Sequence, residues 1–70
     1  MHKDLIAHHL ALAEDHVIQG TTHLLRQREI IAEIERHGQD TLPAESFLRL
    51  LQETQALHVQ HRDRLKQQLS

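Results

Sequence analysis

The chain has 70 residues and a formal net charge of −2, with a single Phe, no Trp or Tyr, and no cysteine. The lack of cysteine excludes disulfides, thiolate zinc sites and cysteine nucleophiles, and the single Phe47 excludes an aromatic platform for nucleic-acid bases. The negative charge gives no general attraction to nucleic acid or to anionic lipid. A chain of 70 residues is long enough for one domain only, so residues 1–70 are predicted to form a single domain. Because a hydrophobic core of this size is marginal on its own, we expect the chain to self-associate.

The sequence carries no enzyme motif. It has no glycine-rich phosphate loop, no His-Glu-x-x-His pair and no nucleophile beside a base. No apolar run approaches the roughly 20 residues of a membrane span, and the first residues lead into no signal-peptide core. We predict a cytoplasmic protein that is not an enzyme and that binds neither membranes nor nucleic acid.

A long first helix is predicted over about residues 3–37. Apolar and small residues recur there at alternating spacings of three and four, which is typical of a helix packed along its whole length. They are Leu10, Ala13, Val17, Gly20, Leu24, Gln27, Ile31 and Ile34. The segment Gly20-Thr21-Thr22 is an interruption at which Thr21 or Thr22 could cap a new helix. Because the pattern continues beyond it without a slip, we predict one continuous helix.

A turn over residues 38–43 and a second helix over about residues 44–69 follow. Gly38 suits the left-handed position after a helix end, Asp40 or Thr41 can cap the next helix, and Pro43 suits a first helical turn. The predicted inner stripe of the second helix is Phe47, Leu51, Thr54, His58, His61 and Leu65, flanked by Leu50 and Leu57. The fold class is therefore all-α, an antiparallel two-helix hairpin.

The first helix has more apolar surface than one partner helix can cover. A second line at heptad spacing lies about 100° around its axis from the first. Its members are Ala11, Ile18, Leu25 and Ala32, and the second helix adds Leu48 and Val59 beside its main stripe. Two hairpins packed together would bury these residues, so we predict a homodimer that forms a four-helix bundle.

Eight histidines are the most unusual feature of the composition. Five share one heptad register, namely His2, His9, His16, His23 and His37. Seven residues of helix span about 10.5 Å, so neighbours on this line are too far apart to bind the same ion. His58 and His61 are three residues apart, on one helix face, and are close enough to share an ion.

Folding the hairpin about residue 40 brings together positions whose numbers sum to about 80. His58 would then lie opposite His23, and His61 opposite Gly20. Four imidazoles, those of His16, His23, His58 and His61, are thus predicted to converge. Gln27 and Thr54 would form a polar layer beside them.

Two interpretations of this cluster remain open. The rings can be neutral, hydrogen-bonded groups that set the register between helices, as polar residues do in helical interfaces. Alternatively they bind Zn²⁺, Cu²⁺ or Ni²⁺, a choice of metal that imidazole ligands allow but do not settle. The first interpretation predicts a self-associating protein–protein interaction module with no cofactor, and the second predicts a transition-metal binding protein.

The segments HLALAEDHV (9–17) and LHVQHRDRL (57–65), with Asp40-Thr41 in the turn, resemble a group of short bacterial helical-hairpin proteins of unknown function. The resemblance covers almost the whole chain and implies a bacterial origin and a helical hairpin, without implying an activity. The heptad spacing of the histidines is also similar to that of a small His-rich, helical, metal-binding protein of the bacterial periplasm.

Overall fold

The computed structural model describes residues 2–70, with side chains from Lys3 onward. It consists of two α-helices, α1 (His2–Arg36) and α2 (Leu42–Leu69). They pack against each other as an antiparallel hairpin that measures 56 × 14 × 13 Å. The predicted all-α hairpin is confirmed. Over the described residues, neither helix contains a segment that is both long enough and apolar enough to cross a membrane.

Helix α1 runs without a break through Gly20-Thr21-Thr22, as predicted. The Thr21 hydroxyl donates to the Val17 carbonyl at 3.1 Å, and the Thr22 hydroxyl donates to the Ile18 carbonyl at 3.3 Å. Both hydroxyls therefore bond one turn back along the same helix and do not cap a new one.

The turn between the helices closes through backbone hydrogen bonds. Gly38 has φ of 69°, the Gln39 N–H donates to the Ile34 carbonyl, and the Gly38 N–H donates to the Glu35 carbonyl. These are the two bonds of a Schellman motif, which explains why a glycine follows the helix end. Asp40 Oδ1 then accepts a bond from the Leu42 N–H at 3.0 Å, and α2 begins there, two residues before the predicted start.

The inner face of α1 is the predicted one, but the predicted inner stripe of α2 was correct only for Leu51, His58 and Leu65. Ala13 and Gln27 of α1 are buried, and the other members of its stripe are partly buried. On α2 the residues that face α1 are Leu48, Leu51, Gln55, His58, Arg62 and Leu65. Phe47, Thr54 and His61, which were predicted to face inward, are exposed. Helix α2 is thus rotated by about half a position, roughly 50°, from the predicted orientation.

The predicted register between the helices was also wrong. Gln55 Nε2 donates to the Val17 carbonyl at 2.8 Å, and the rings of His16 and His58 lie 5.3 Å apart between centroids. Facing residues therefore have numbers that sum to about 75 rather than 80. This places His58 beside His16 instead of opposite His23.

The polar layer of Gln27 and Thr54 does not form. Gln27 Nε2 instead donates to the Ala44 carbonyl at 2.9 Å, and the Thr54 hydroxyl donates within its own helix to the Leu50 carbonyl at 3.0 Å. The early start of α2 brings the Ala44 carbonyl within reach of Gln27. This contact near the turn helps to fix the register that the rest of the hairpin follows.

The hairpin encloses very little apolar volume. Ala13 and Leu65 are its buried hydrophobic residues, and no large side chain among the described residues is fully buried. Eight large hydrophobic side chains are instead exposed, at 48 % or more: Leu5, Leu12, Ile18, Leu25, Leu42, Phe47, Leu50 and Leu57. Most of the apolar surface of the chain is therefore on the outside of the hairpin.

Candidate functional site

Four surface grooves lie along one broad face of the hairpin. The first groove lies between His16 and His23 of α1 and Thr54 and His58 of α2. Further grooves along the same side are lined by His9, Leu12 and His61, by His23 and Phe47, and, near the turn, by Ile30 and His37. We call this side the groove face. It is defined by Leu5, His9, Leu12, His16 and His23 of α1 and by Phe47, Leu50, Thr54, Leu57 and His61 of α2.

Five of the eight exposed hydrophobic side chains lie on the groove face. Leu5 and Leu12 are seven residues apart on α1, next to the histidine line. Phe47, Leu50 and Leu57 follow spacings of three and seven on α2, where Phe47 lines a groove. Apolar side chains thus flank the grooves on both helices, beside the polar histidines. This face is therefore an amphipathic surface.

The remaining exposed hydrophobic residues lie on the opposite face of the hairpin. This opposite face is defined by the line Ala11, Ile18, Leu25 and Ala32 on α1 and by Leu42 at the start of α2. Ile18 is 64 % exposed and Leu25 is 55 % exposed, so a single hairpin does leave the predicted second line in solvent.

The structure brings together two of the four histidines predicted as metal ligands. His16 and His58 are in ring contact across the two helices, and His23 lines the same groove. His61 lies in the neighbouring groove with His9 and His16. Within residues 3–70, no three His, Asp or Glu side chains are placed to hold one ion together. A four-histidine site within one hairpin therefore stays a prediction.

The other histidines have different surroundings. The rings of His8 and His9 lie 6.2 Å apart on one helix, and His37 Nδ1 lies 2.8 Å from the Glu33 carbonyl oxygen at the end of α1. The ring of His37 thus interacts with a backbone carbonyl at the C-terminal end of α1, as its position at the helix end predicts. The side chain of His2, the first member of the heptad line, lies outside the described residues.

Gln55 is a groove residue that the sequence pattern did not identify. Its amide occupies the space that Gly20 leaves open, and Nε2 donates to the Val17 carbonyl and, at 3.3 Å, to the Thr21 hydroxyl. Gln55 Oε1 is buried and has no hydrogen-bond partner. The available signal was Gly20 itself, because a glycine inside a helix often marks the close approach of a neighbouring group.

Comparison with protein-family models, with curated proteins and with solved structures finds no match to this chain. The resemblance to short bacterial hairpin proteins therefore stays a prediction.

Proposed function

We propose that this chain is a non-enzymatic interaction module that works as a homodimer. In this dimer the groove faces of two hairpins pack together and form a four-helix bundle. The observation that carries the proposal is the position of the apolar residues: two hydrophobic side chains are buried inside the hairpin, whereas five large ones lie on the groove face.

The hairpin gains too little from its own interior to account for a stable fold. Burial of a large apolar side chain contributes about 1.5–3 kcal/mol, and the ordering of each residue costs roughly 1–2 kcal/mol of backbone entropy. Small chains without disulfides commonly compensate by oligomerisation. A second layer of helices on the groove face supplies the missing burial for Leu5, Leu12, Phe47, Leu50 and Leu57 at once.

A second copy of the chain is the partner whose size matches this face. The hairpin measures 56 Å by 14 Å in the plane of the face, a footprint of about 800 Å². Stable protein interfaces bury about 800 Å² on each partner. Two antiparallel hairpins stacked face to face also reproduce the geometry of four-helix bundles, in which short loops join neighbouring helices.

The opposite face would remain in solvent after this dimer forms. Ile18 and Leu25 then provide a narrow apolar strip on each side of the bundle, which we propose as the contact for another protein. The sequence-based prediction assigns the dimer to this same strip, so the two surfaces are alternatives that experiment can separate.

Sedimentation equilibrium at micromolar concentration tests the proposal. We expect a mass of twice the 8.2 kDa of one chain, together with high helicity by circular dichroism. A mass of one chain with undiminished helicity would contradict self-association, because the hairpin would then be stable by itself.

A further inference from the structure

The geometry points to a transition-metal site formed by His16 of α1 and His58 of α2, in which the two imidazoles bind one divalent ion across the contact between the helices. Both ligands come from one chain, so the second copy in the proposed dimer need not supply one. The site differs from the predicted four-histidine cluster because it needs neither His23 nor His61.

The separation of the two rings matches that of two imidazoles on one ion. A Zn–N bond of 2.0–2.1 Å plus about 1.1 Å from the nitrogen to the ring centre places each centroid about 3.2 Å from the metal. At a tetrahedral angle, two such rings lie about 5.2 Å apart. The centroids of His16 and His58 are 5.3 Å apart, and their planes are inclined by 45°.

The groove around the pair is lined by polar side chains and, over the described residues, by no Asp or Glu. The groove that holds both rings is also lined by Gln19, Gly20 and Thr54, and its lining, over the described residues, contains no lysine or arginine. Gln55 lines the same groove, and its Oε1 atom is buried without a partner. The Gln55 amide is held in place by the bonds from its Nε2 atom to the Val17 carbonyl and to the Thr21 hydroxyl.

The donor set defines the class of ion. Two neutral imidazoles without a carboxylate or thiolate suit Cu²⁺, Ni²⁺ and Zn²⁺, whereas Mg²⁺ and Ca²⁺ require oxygen ligands. Two tetrahedral coordination positions remain for water or, in the proposed dimer, for a group of the second copy. Because the ligands come from different helices, the bound ion links α1 to α2 and stabilises the folded state by mass action.

A Zn²⁺ titration of the purified, untagged chain tests the site. At a Zn²⁺ concentration ten times the dissociation constant, we expect the melting temperature to rise by roughly 5–10 °C, with no rise in Mg²⁺. His16→Ala and His58→Ala should each weaken Zn²⁺ binding by at least about tenfold, the loss of one of two ligands. His61→Ala and His8→Ala are the matched controls, because they remove histidines outside the pair, and they should change the affinity by less than about threefold.

A second measurement covers the case in which His16→Ala or His58→Ala fails to fold. In the unsubstituted chain, the ring nitrogen resonances of His16 and His58 should shift together on addition of Zn²⁺, at one ion per chain or fewer. A melting temperature that Zn²⁺ does not change would overturn the site. So would Zn²⁺-induced shifts confined to other histidines, or full affinity in both His16→Ala and His58→Ala.

Discussion

The two faces of the hairpin use the same helices and the same inner contact, yet they differ in how their apolar residues are arranged. On the groove face, Leu12 and Phe47 line grooves between the helices, and leucines flank them on the outer side. On the opposite face, Ile18 and Leu25 form a single line on one helix. Both faces expose large hydrophobic residues, but the groove face has three of them along α2, whereas the opposite face has only Leu42, at the start of that helix. The distribution of exposed hydrophobic residues around a concave surface is therefore a better indicator of an interface than their number.

The largest expected effect comes from placing charge on one face at a time. Leu50→Asp with Leu57→Asp adds two negative charges to the groove face, and both residues are exposed in the single hairpin, at 58 % and 64 %. Burying these charges between two copies would cost several kcal/mol in total, so we expect dimerisation to weaken by at least about a hundredfold. Sedimentation equilibrium over a range of concentrations measures this loss.

Ile18→Asp with Leu25→Asp is the matched control for that variant. It makes the same change of charge at residues of similar exposure, 64 % and 55 %, but on the opposite face. We expect its dimerisation constant to stay within about threefold of the parent, since exposed substitutions away from an interface change stability little. Dissociation of this variant while the Leu50→Asp/Leu57→Asp variant stays dimeric would assign the dimer to the opposite face.

A smaller effect is expected from a substitution between the two helices, where the amide of Gln55 fills the space beside Gly20. A Cβ atom at residue 20 would overlap Gln55 Oε1, so Gly20→Ala must displace the amide from the Val17 carbonyl and the Thr21 hydroxyl. Each of these hydrogen bonds contributes about 1 kcal/mol, and the better helix propensity of alanine returns about 1 kcal/mol. We expect Gly20→Ala alone to destabilise the protein by about 1 kcal/mol.

The same substitution should have the opposite sign once Gln55 is truncated. In a Gln55→Ala background, Gly20→Ala meets no amide and gains only the helix propensity, about 1 kcal/mol. A double-mutant cycle from urea unfolding at fixed chain concentration gives the coupling, which we expect to be about 2 kcal/mol. Equal effects of Gly20→Ala in both backgrounds would show that the amide does not depend on the space at Gly20.

The sequence predicted α1 better than α2 for a physical reason. The inner stripe of α1 alternates spacings of three and four along the whole helix, whereas the second apolar line, through Ala11, Ile18, Leu25 and Ala32, recurs only once in seven residues. In α2, two overlapping stripes have helical spacing, one through Leu48, Gln55 and Leu65 and the other through Phe47, Thr54 and His61. Periodicity shows that each stripe lies along one face of the helix, but it cannot show which of the two packs inside the hairpin.

The prediction of the histidine site depended on which stripe of α2 was taken as the inner one. The sequence identified His16 and His58 as candidates, and the structure places them in contact. Of the two other predicted ligands, His23 lines the same groove as this pair, and His61 lies in the neighbouring groove. A register error of a few residues moves a helical side chain by about one turn, roughly 5 Å, which is more than the length of a metal–ligand bond.

The central claim is that the groove face joins two copies of the chain, and an isotope-filtered NOE experiment tests it most directly. In a mixture of labelled and unlabelled chains, such an experiment detects only contacts between copies. We predict intermolecular NOEs at Leu12, Phe47 and Leu57, and none at Ile18 or Leu25. Intermolecular NOEs at Ile18 and Leu25 with none at the groove-face residues would contradict the account.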